Sequence, residues 1–203
     1  MNQVNPIGMN RSFPYLKTLK KDEFVFLQNE EFKGYYLVKS GLVKTIRSHE
    51  SGARAILSFK IQGELMGELV ETELGKKHTY SAIALEDNTV VELIPFEDPS
   101  HLKLLRILEN LQLEILQART RLERILFQDA EQRIKLTLKD LALRMGRNFG
   151  GETLLKLPVT HEDLAILTDT SRQTVSMVLS GLKSQNKITY SRGRILFRNL
   201  ETF

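Results

Sequence analysis

The sequence predicts an α+β protein: an antiparallel β-barrel or jelly roll, then a long helix, then a small domain of helices and strands. Three observations predict this order. Short segments rich in β-branched and aromatic residues fill the first hundred positions. Apolar residues then recur at helical spacing from Ser100 onward, and residues 160–188 contain two short helical segments around a tight turn. The expected boundaries enclose residues 1–99, 100–128 and 129–203.

The N-terminal segments alternate with turn-forming residues, as expected for antiparallel strands. Gly41 and Gly52 fall between neighbouring segments, where a tight hairpin turn requires a positive φ. Several short strands at this spacing favour a barrel or a two-sheet jelly roll over a parallel sheet. The predicted strands cover residues 24–31, 35–41, 42–49, 53–60, 79–87 and 89–95.

The long helix carries an apolar stripe at alternating spacings of four and three residues. A stripe of about three heptads suits pairing with a second copy of the same helix. The alternative is that the stripe packs on the chain's own barrel, but its length favours the homodimer. The predicted dimer seam consists of Leu104, Leu108, Leu111, Ile115, Ala118, Leu122 and Ile125.

Residues 160–188 predict a helix pair of the kind that enters the DNA major groove. Thr160 and Ser171 are the expected N-caps of the two helices. The second helix carries polar residues in its first turn, which can bond base edges and phosphates. Its apolar residues point inward at three- and four-residue spacing; they are Val175, Val178, Leu179 and Leu182. The alternative is an ordinary helical hairpin in a small core.

Strands are expected on both sides of this helix pair. A short strand covers residues 154–158, after a glycine-rich loop at residues 146–153. Two further strands flank Ser191-Arg192-Gly193 and form a β-hairpin wing, whose basic tip is expected to contact phosphate. The C-terminal domain is therefore predicted to be a winged helix-turn-helix.

The charge distribution supports a polyanionic partner for the C-terminal half. Residues 1–99 carry 12 Lys and Arg against 14 Asp and Glu, whereas residues 100–203 carry 17 against 11. The absence of cysteine excludes disulfides and cysteine-ligated iron–sulfur clusters. Apolar runs are too short to span a membrane, and no secretory signal pattern opens the chain, so the cytoplasm is the expected compartment.

The order of barrel, long helix and winged helix-turn-helix resembles the Crp/Fnr family of bacterial transcription regulators. The most specific matches are Gly41, Gly52 and the GELMGEL segment at 63–69, together with TSRQTVSMVLSGLK at 170–183. Phe127-Gln-Asp129 followed by Arg133-Ile134 is similar to the family's hinge. The resemblance covers nearly the whole chain. It implies a homodimeric DNA-binding regulator that reads an inverted repeat, with an N-terminal cyclic-nucleotide-binding-like sensor barrel and no enzymatic activity.

The resemblance also places an effector pocket in the barrel, but with altered residues. The implied pocket residues are Gly67, Glu68, His78, Thr79, Ala118 and Arg119. Members that bind cyclic AMP have Arg-Ser at the His78-Thr79 position, and a neutral imidazole lacks the fixed charge and fork of arginine. Their adenine-contacting Thr-Ser pair is replaced by Ala118-Arg119. These departures argue against cyclic AMP and leave the effector and any cofactor unassigned.

The DNA-reading positions match the family more closely. Arg172 is expected to donate to guanine O6 and N7, and Gln173 stands where the family has Glu, which predicts an altered base preference. Asp169 occupies a turn position where glycine is usual, and Asp tolerates the left-handed conformation that this turn requires. The remaining expected contacts are to phosphates; they come from His161, Thr170, Ser171, Thr174, Ser176, Lys183 and Arg192.

Two other functions compete with this interpretation. An enzyme on a cupin-like barrel would need clustered metal-binding histidines, and His49, His78, His101 and His161 lack ligand spacing. A haem or metal role for His78 is disfavoured for the same reason. A cyclic-nucleotide-binding module that acts through protein partners would not need the basic C-terminal half. RNA polymerase is the further partner that an activator would contact, although the sequence singles out no surface for it.

Overall fold

The computed structural model describes residues 15–73, 75–96 and 101–203, with side chains in the last range from residue 103 onward. The expected boundary at residues 99 and 100 lies outside the described residues. The N-terminal strands are β1 Tyr15–Leu19, β2 Phe24–Phe26, β3 Gly34–Ser40, β4 Val43–Ser48, β5 Arg54–Lys60, β6 Leu65–Met66, β7 Leu69–Thr72, β8 Gly75–His78, β9 Ser81–Ala84 and β10 Thr89–Pro95.

These strands form the predicted antiparallel jelly roll. One sheet has the order β1-β10-β3-β6 and the other has the order β2-β9-β4-β5, while β7 and β8 form a separate hairpin. The predicted turns at Gly41 and Gly52 are confirmed, with φ of 89° and 83°. A Cβ at Gly41 would lie 2.4 Å from the Thr89 hydroxyl oxygen, so glycine is required there by space as well as by φ.

The structure corrects the strand predictions in several places. Strand β1 and the β7–β8 hairpin were not expected, because most of their side chains are exposed and show no alternation of apolar and polar residues. The strand expected over 24–31 stops at Phe26, before a turn in which Asn29 has a φ of 67°. The strand expected over 79–87 is only Ser81–Ala84.

The long helix α1 runs from His101 to Phe127, which at 27 residues is about 40 Å long. It packs on the barrel through Ile107, which lies in a cluster with Leu37, Leu65 and Ile94. Helix α2, Ala130–Met145, follows after a break at which the Asp129 carboxylate accepts a hydrogen bond from the Gln132 N–H at 2.8 Å. Among the described residues, no helix is both long and apolar enough to cross a membrane.

The C-terminal part contains the predicted winged helix-turn-helix. Its elements are β11 Arg147–Phe149, β12 Glu152–Lys156, α3 His161–Thr168, α4 Arg172–Ser184, β13 Ile188–Ser191 and β14 Arg194–Phe197. The four strands form one sheet in the order β11-β12-β14-β13. The expected glycine-rich loop at 146–153 is therefore wrong in part, because Gly150 and Gly151 turn a short hairpin between β11 and β12.

The barrel and the C-terminal domain share a hydrophobic core. Barrel residues Ile56 and Phe59 belong to the same buried cluster as Leu138 of α2, Leu164 of α3 and Leu179 of α4. Each of these side chains is at most 4% exposed. The first helix of the helix pair, α3, thus rests against strand β5 of the barrel.

Candidate nucleic-acid interface

The two helices of the pair begin and end as their local sequence dictates. The Thr160 hydroxyl accepts from the Asp163 N–H at 3.0 Å, and the Asp163 carboxylate accepts from the Thr160 N–H at 2.9 Å. Helix α3 ends at Asp169, which is left-handed at φ 51° and ψ 50°. Ser171 then caps α4 by accepting from the Thr174 N–H at 3.0 Å. Both predicted N-caps and the left-handed Asp169 are confirmed.

The first turn of α4 presents free polar side chains to solvent. Val175, Val178, Leu179 and Leu182 are buried, as predicted, and hold the inner face of the helix. Arg172 and Gln173 lie on the exposed side. Within the described parts of the chain, no hydrogen bond or ion pair engages the Arg172 guanidinium or the Gln173 amide. Both groups are therefore available to pair with base edges.

The expected phosphate-binding residues are partly engaged with one another. His161 Nδ1 lies 2.9 Å from the Ser176 hydroxyl, which also donates to the Arg172 carbonyl at 3.0 Å. The Ser171 and Thr174 hydroxyls lie 2.8 Å apart. The Thr170 hydroxyl lies 3.0 Å from that of Thr168. These residues surround the start of α4, but the phosphate contacts themselves stay predictions.

A cationic cleft lies between the wing and the start of α3. Its volume is about 550 Å³, and its lining includes His161, Arg192, Arg194 and Lys21 but no carboxylate side chain. Lys21 comes from the turn between β1 and β2, and sequence reasoning missed it because only the tertiary fold brings the barrel to the wing. Lys183 lies on the same side of the domain, with its Nζ 5.6 Å from the centre of the Tyr190 ring.

The acid in the helix-turn-helix turn has a cationic partner. The Asp169 carboxylate accepts from Arg121 Nη2 at 3.1 Å and from Arg121 Nε at 3.3 Å. Arg121 lies on α1, 48 residues earlier in the chain. The Arg121 guanidinium thus compensates the negative charge of Asp169 next to the start of α4, a charge that the sequence alone leaves unexplained.

The expected effector site is closed around an aromatic cluster. The His78 side chain is 1% exposed and stacks on Phe26 at 3.8 Å between ring centroids. Its Nδ1 is buried and has no hydrogen-bond partner among the described residues. The Gly67 N–H donates to the Tyr80 hydroxyl at 2.8 Å, and the Glu68 carboxylate accepts from the Thr79 hydroxyl at 2.6 Å.

The electrostatics of this site do not favour a phosphate. Burial lowers the pKa of His78 to about 4, and the nearby Glu30 carboxylate opposes this shift only in part. The imidazole is therefore neutral at pH 7. The Lys76 ammonium is engaged over the Phe96 ring at 4.0 Å. Ala118 and Arg119 are exposed on α1, and among the described residues no hydrogen bond or ion pair joins them to Gly67, Glu68, His78 or Thr79.

His78 predicts a pH-dependent stability. Because its pKa is about 4 in the folded chain and 6.5 in the ordinary case, protonation between these values favours unfolding. The neutral His78 makes its full contribution to the free energy of unfolding above pH 6.5. This contribution falls by roughly 3 kcal/mol as the pH is lowered from 6.5 towards 4. Urea unfolding of the wild type and of His78→Phe across this range should show a smaller loss in the variant. A variant of the exposed His49, His49→Gln, should behave like the wild type; equal pH dependence in all three proteins would contradict this role.

The predicted dimer seam is largely uncovered in the single chain. Five of its residues are 42–55% exposed: Leu104, Leu108, Ile115, Leu122 and Ile125. Ala118 is exposed beside them, whereas Leu111 packs in part against the chain's own barrel. Further apolar residues of α1 are exposed outside the predicted seam; they are Leu105, Leu113, Leu116, Leu126 and Phe127. An exposed apolar stripe of this length on a helix is typical of an interface.

No metal centre is formed by the described parts of the chain, where no three His, Asp or Glu side chains lie close enough together to hold an ion. The cavity next to α1 has a volume of about 370 Å³ and lies between β5, α1, α2 and α3. Its lining contains none of the six residues expected in the effector pocket.

The barrel, the long helix and the winged helix-turn-helix define a DNA-binding regulator with a sensor-type barrel. Residues 16–98 match the cyclic nucleotide-binding domain, and residues 120–203 match the Crp-like helix-turn-helix domain. The chain belongs to the Crp/Fnr family and is a transcriptional regulator of that type, with a helix-turn-helix DNA-binding domain; its relatives are regulators and not enzymes.

Individual relatives support the assignment over most of the chain. The transcriptional activator protein Anr of Pseudomonas protegens is 29% identical, over 88% of this chain and 74% of its own length. The cyclic AMP receptor protein of Thermus thermophilus is also 29% identical, over 86% and 79%. The structure of a CRP/FNR-family transcriptional regulator from Thermus thermophilus superimposes with a TM-score of 0.74 at 26% identity, covering 92% of this chain and 95% of that one.

Proposed function

We propose that this protein is a cytoplasmic homodimer that reads an inverted-repeat operator through the exposed first turn of α4. In this proposal Arg172 and Gln173 read bases, and the hydroxyl and basic residues around them contact phosphates. The observation that carries the proposal is a capped helix whose first turn projects two exposed and unengaged polar side chains, those of Arg172 and Gln173.

The exposed stripe on α1 supports the dimer. A second copy that packs there would remove the seam residues from water and would place two copies of α4 on the same side of the assembly. Two recognition helices about 34 Å apart would then reach successive turns of the major groove. An inverted repeat is the DNA symmetry that matches a twofold protein dimer.

The effector of this protein is proposed not to be cyclic AMP. One relative is a cyclic AMP receptor protein, but here a buried neutral imidazole occupies the position at which the resemblance places an arginine. The aromatic cluster around His78 fills the region in which a nucleotide phosphate would need a cation. A nucleotide-binding module acting only through protein partners is the second candidate, and it leaves the free Arg172 and Gln173 without a role.

Selection from a random DNA pool by purified, ligand-free protein at about physiological salt tests this function. We expect enrichment of an inverted repeat whose half-site centres lie about 10–11 base pairs, or a multiple of this, apart. If the recovered DNA shows no common sequence and its binding weakens with salt, the ligand-free protein does not read sequence. If the protein retains no DNA at any salt concentration, the result favours a nucleotide-binding module that acts through protein partners.

A further inference from the structure

One arginine of the long helix contacts both the barrel and the helix-turn-helix. Arg121 Nη1 donates to the Ile56 carbonyl of β5 at 2.7 Å. Its Nη2 donates to the Ile166 carbonyl of α3 at 3.2 Å and to the Asp169 carboxylate at 3.1 Å. A planar guanidinium that donates in several fixed directions holds its partners in a defined relative orientation. The Arg121–Asp169 pair and its carbonyl contacts are called the Arg121 bridge below.

A second arginine completes the C-terminal end of α3. Arg133 of α2 donates through Nε to the Thr168 carbonyl at 2.9 Å and through Nη2 to the Asp169 carbonyl at 2.8 Å. Two cations therefore satisfy carbonyls that a helix C-terminus leaves unpaired, and they lie at the negative end of its dipole. The turn that leads into α4 is held by α1 and α2 together.

The other end of α3 is also tied to the barrel. Lys44 of β4 donates to the Asp163 carboxylate at 2.6 Å, and both side chains are 17% exposed. Arg144 of α2 donates to Glu64 at 2.8 Å and to the Phe59 carbonyl at 3.1 Å. Helix α3 thus has a barrel contact at its start and the Arg121 bridge at its end, with the shared apolar core between them.

These contacts orient the DNA-reading surface without covering it. Arg172, Gln173 and Met177 remain exposed on α4. If the barrel covered these side chains, its contacts with the helix-turn-helix would indicate inhibition by occlusion. Here the contacts fix α3 to α1 and leave the side chains exposed, which indicates control of orientation.

We infer that Arg121 and Asp169 are positioning residues, which fix the angle of each helix-turn-helix on the long helix and so set the spacing of the two half-sites that the dimer accepts. This inference rests on the proposed function, because the spacing has meaning only for a dimer on an inverted repeat. Binding both half-sites at once gains affinity only when the protein geometry matches their separation. A loosened bridge should therefore reduce discrimination between spacings and leave contacts within one half-site intact.

The residue type at position 169 supports this role. Glycine adopts the left-handed conformation at little cost, whereas a residue with a side chain is strained there. Aspartate at φ 51° adopts this conformation at a higher energetic cost than glycine, but it supplies the carboxylate that Arg121 binds. Asp169→Gly should therefore relax the local backbone while it removes the bridge, whereas Arg121→Gln removes the bridge and keeps the aspartate at position 169, so a comparison of the two variants separates the effects.

The test compares Asp169→Gly and Arg121→Gln with the wild type. Asn186→Gly is the matched control, since Asn186 is also left-handed, at φ 57°, in the turn after α4. Each protein is titrated with the inverted repeat recovered from the random pool, with versions whose half-site spacing is changed by one or two base pairs, and with a single half-site. Thermal unfolding verifies that each variant is folded. If Asp169→Gly does not fold, Arg121→Gln still tests the positioning role.

The wild type and Asn186→Gly should bind the selected spacing roughly tenfold or more better than the altered spacings. The two bridge variants should show a nearly flat spacing profile and wild-type affinity for the half-site. An unchanged spacing preference in both variants, or tighter binding to the selected repeat, would overturn the positioning role. If the wild type bound the recovered repeat no better than scrambled DNA, the proposed function would be overturned, and the positioning role with it.

Discussion

Ile115→Asp should convert the dimer into monomers and lower the affinity for a palindromic operator by about two orders of magnitude. Ile115 lies at the middle of the predicted seam and is 52% exposed in the single chain, so its apolar surface is available to a second copy. An aspartate there would bury a carboxylate without a partner, which disfavours association by several kcal/mol, as a rough guide. Sedimentation velocity and operator titration measure the two effects.

Leu113→Asp is the matched control for the seam. Leu113 is 55% exposed, close to the value for Ile115, but two residues along a helix lie about 160° apart around its axis. This variant introduces the same charge on a face that the seam does not use, so it should remain a dimer. An intact dimer for Ile115→Asp, or dissociation of both variants alike, would remove the seam assignment.

Arg172→Ala should weaken binding to the selected operator by about 1–3 kcal/mol and relax the preference at one base pair of each half-site. The guanidinium is exposed, has no partner within the described residues, and extends from the first turn of α4, where a bidentate contact to guanine can form. Competition titrations with the cognate sequence and with each single-base variant measure the change in preference.

Arg192→Ala provides the contrast for that prediction. Arg192 is exposed at the tip of the wing and lines the cationic cleft, so its expected partner is a phosphate. Its loss should weaken all sequences about equally and should reduce the salt slope by about one. If Arg172→Ala left the ratio of cognate to scrambled binding unchanged, the reading role of Arg172 would be wrong.

Features fixed by neighbouring residues were predictable from the sequence. The caps at Thr160 and Ser171 depend on hydroxyl side chains that meet N–H groups two or three residues later, and both were correct. The turns at Gly41 and Gly52 both need a positive φ, which glycine in a short loop signals. The histidine at position 78 is visible in the sequence, but its burial and its stacking on Phe26 could not be anticipated.

Features that depend on the meeting of distant segments could not be predicted. A heptad pattern identifies apolar positions but not which of them face the chain's own barrel, and Leu111 was therefore assigned entirely to the seam. Asp169 had no explanation until α1 placed Arg121 beside it. Lys21 gave no signal, because nothing in its surroundings along the chain relates the β1–β2 turn to the wing.

The buried cluster that contains Ile56, Phe59, Leu164 and Leu179 limits the modularity of this protein. Residues 129–203 form a separate segment of the sequence. Their removal from the barrel would expose to solvent an apolar face that is buried in the intact chain. Exchange of such segments between relatives should succeed only when the matching surface of β4 and β5 is exchanged too. The unit that can be inherited or engineered as a whole is the helix-turn-helix together with the sheet on which it rests.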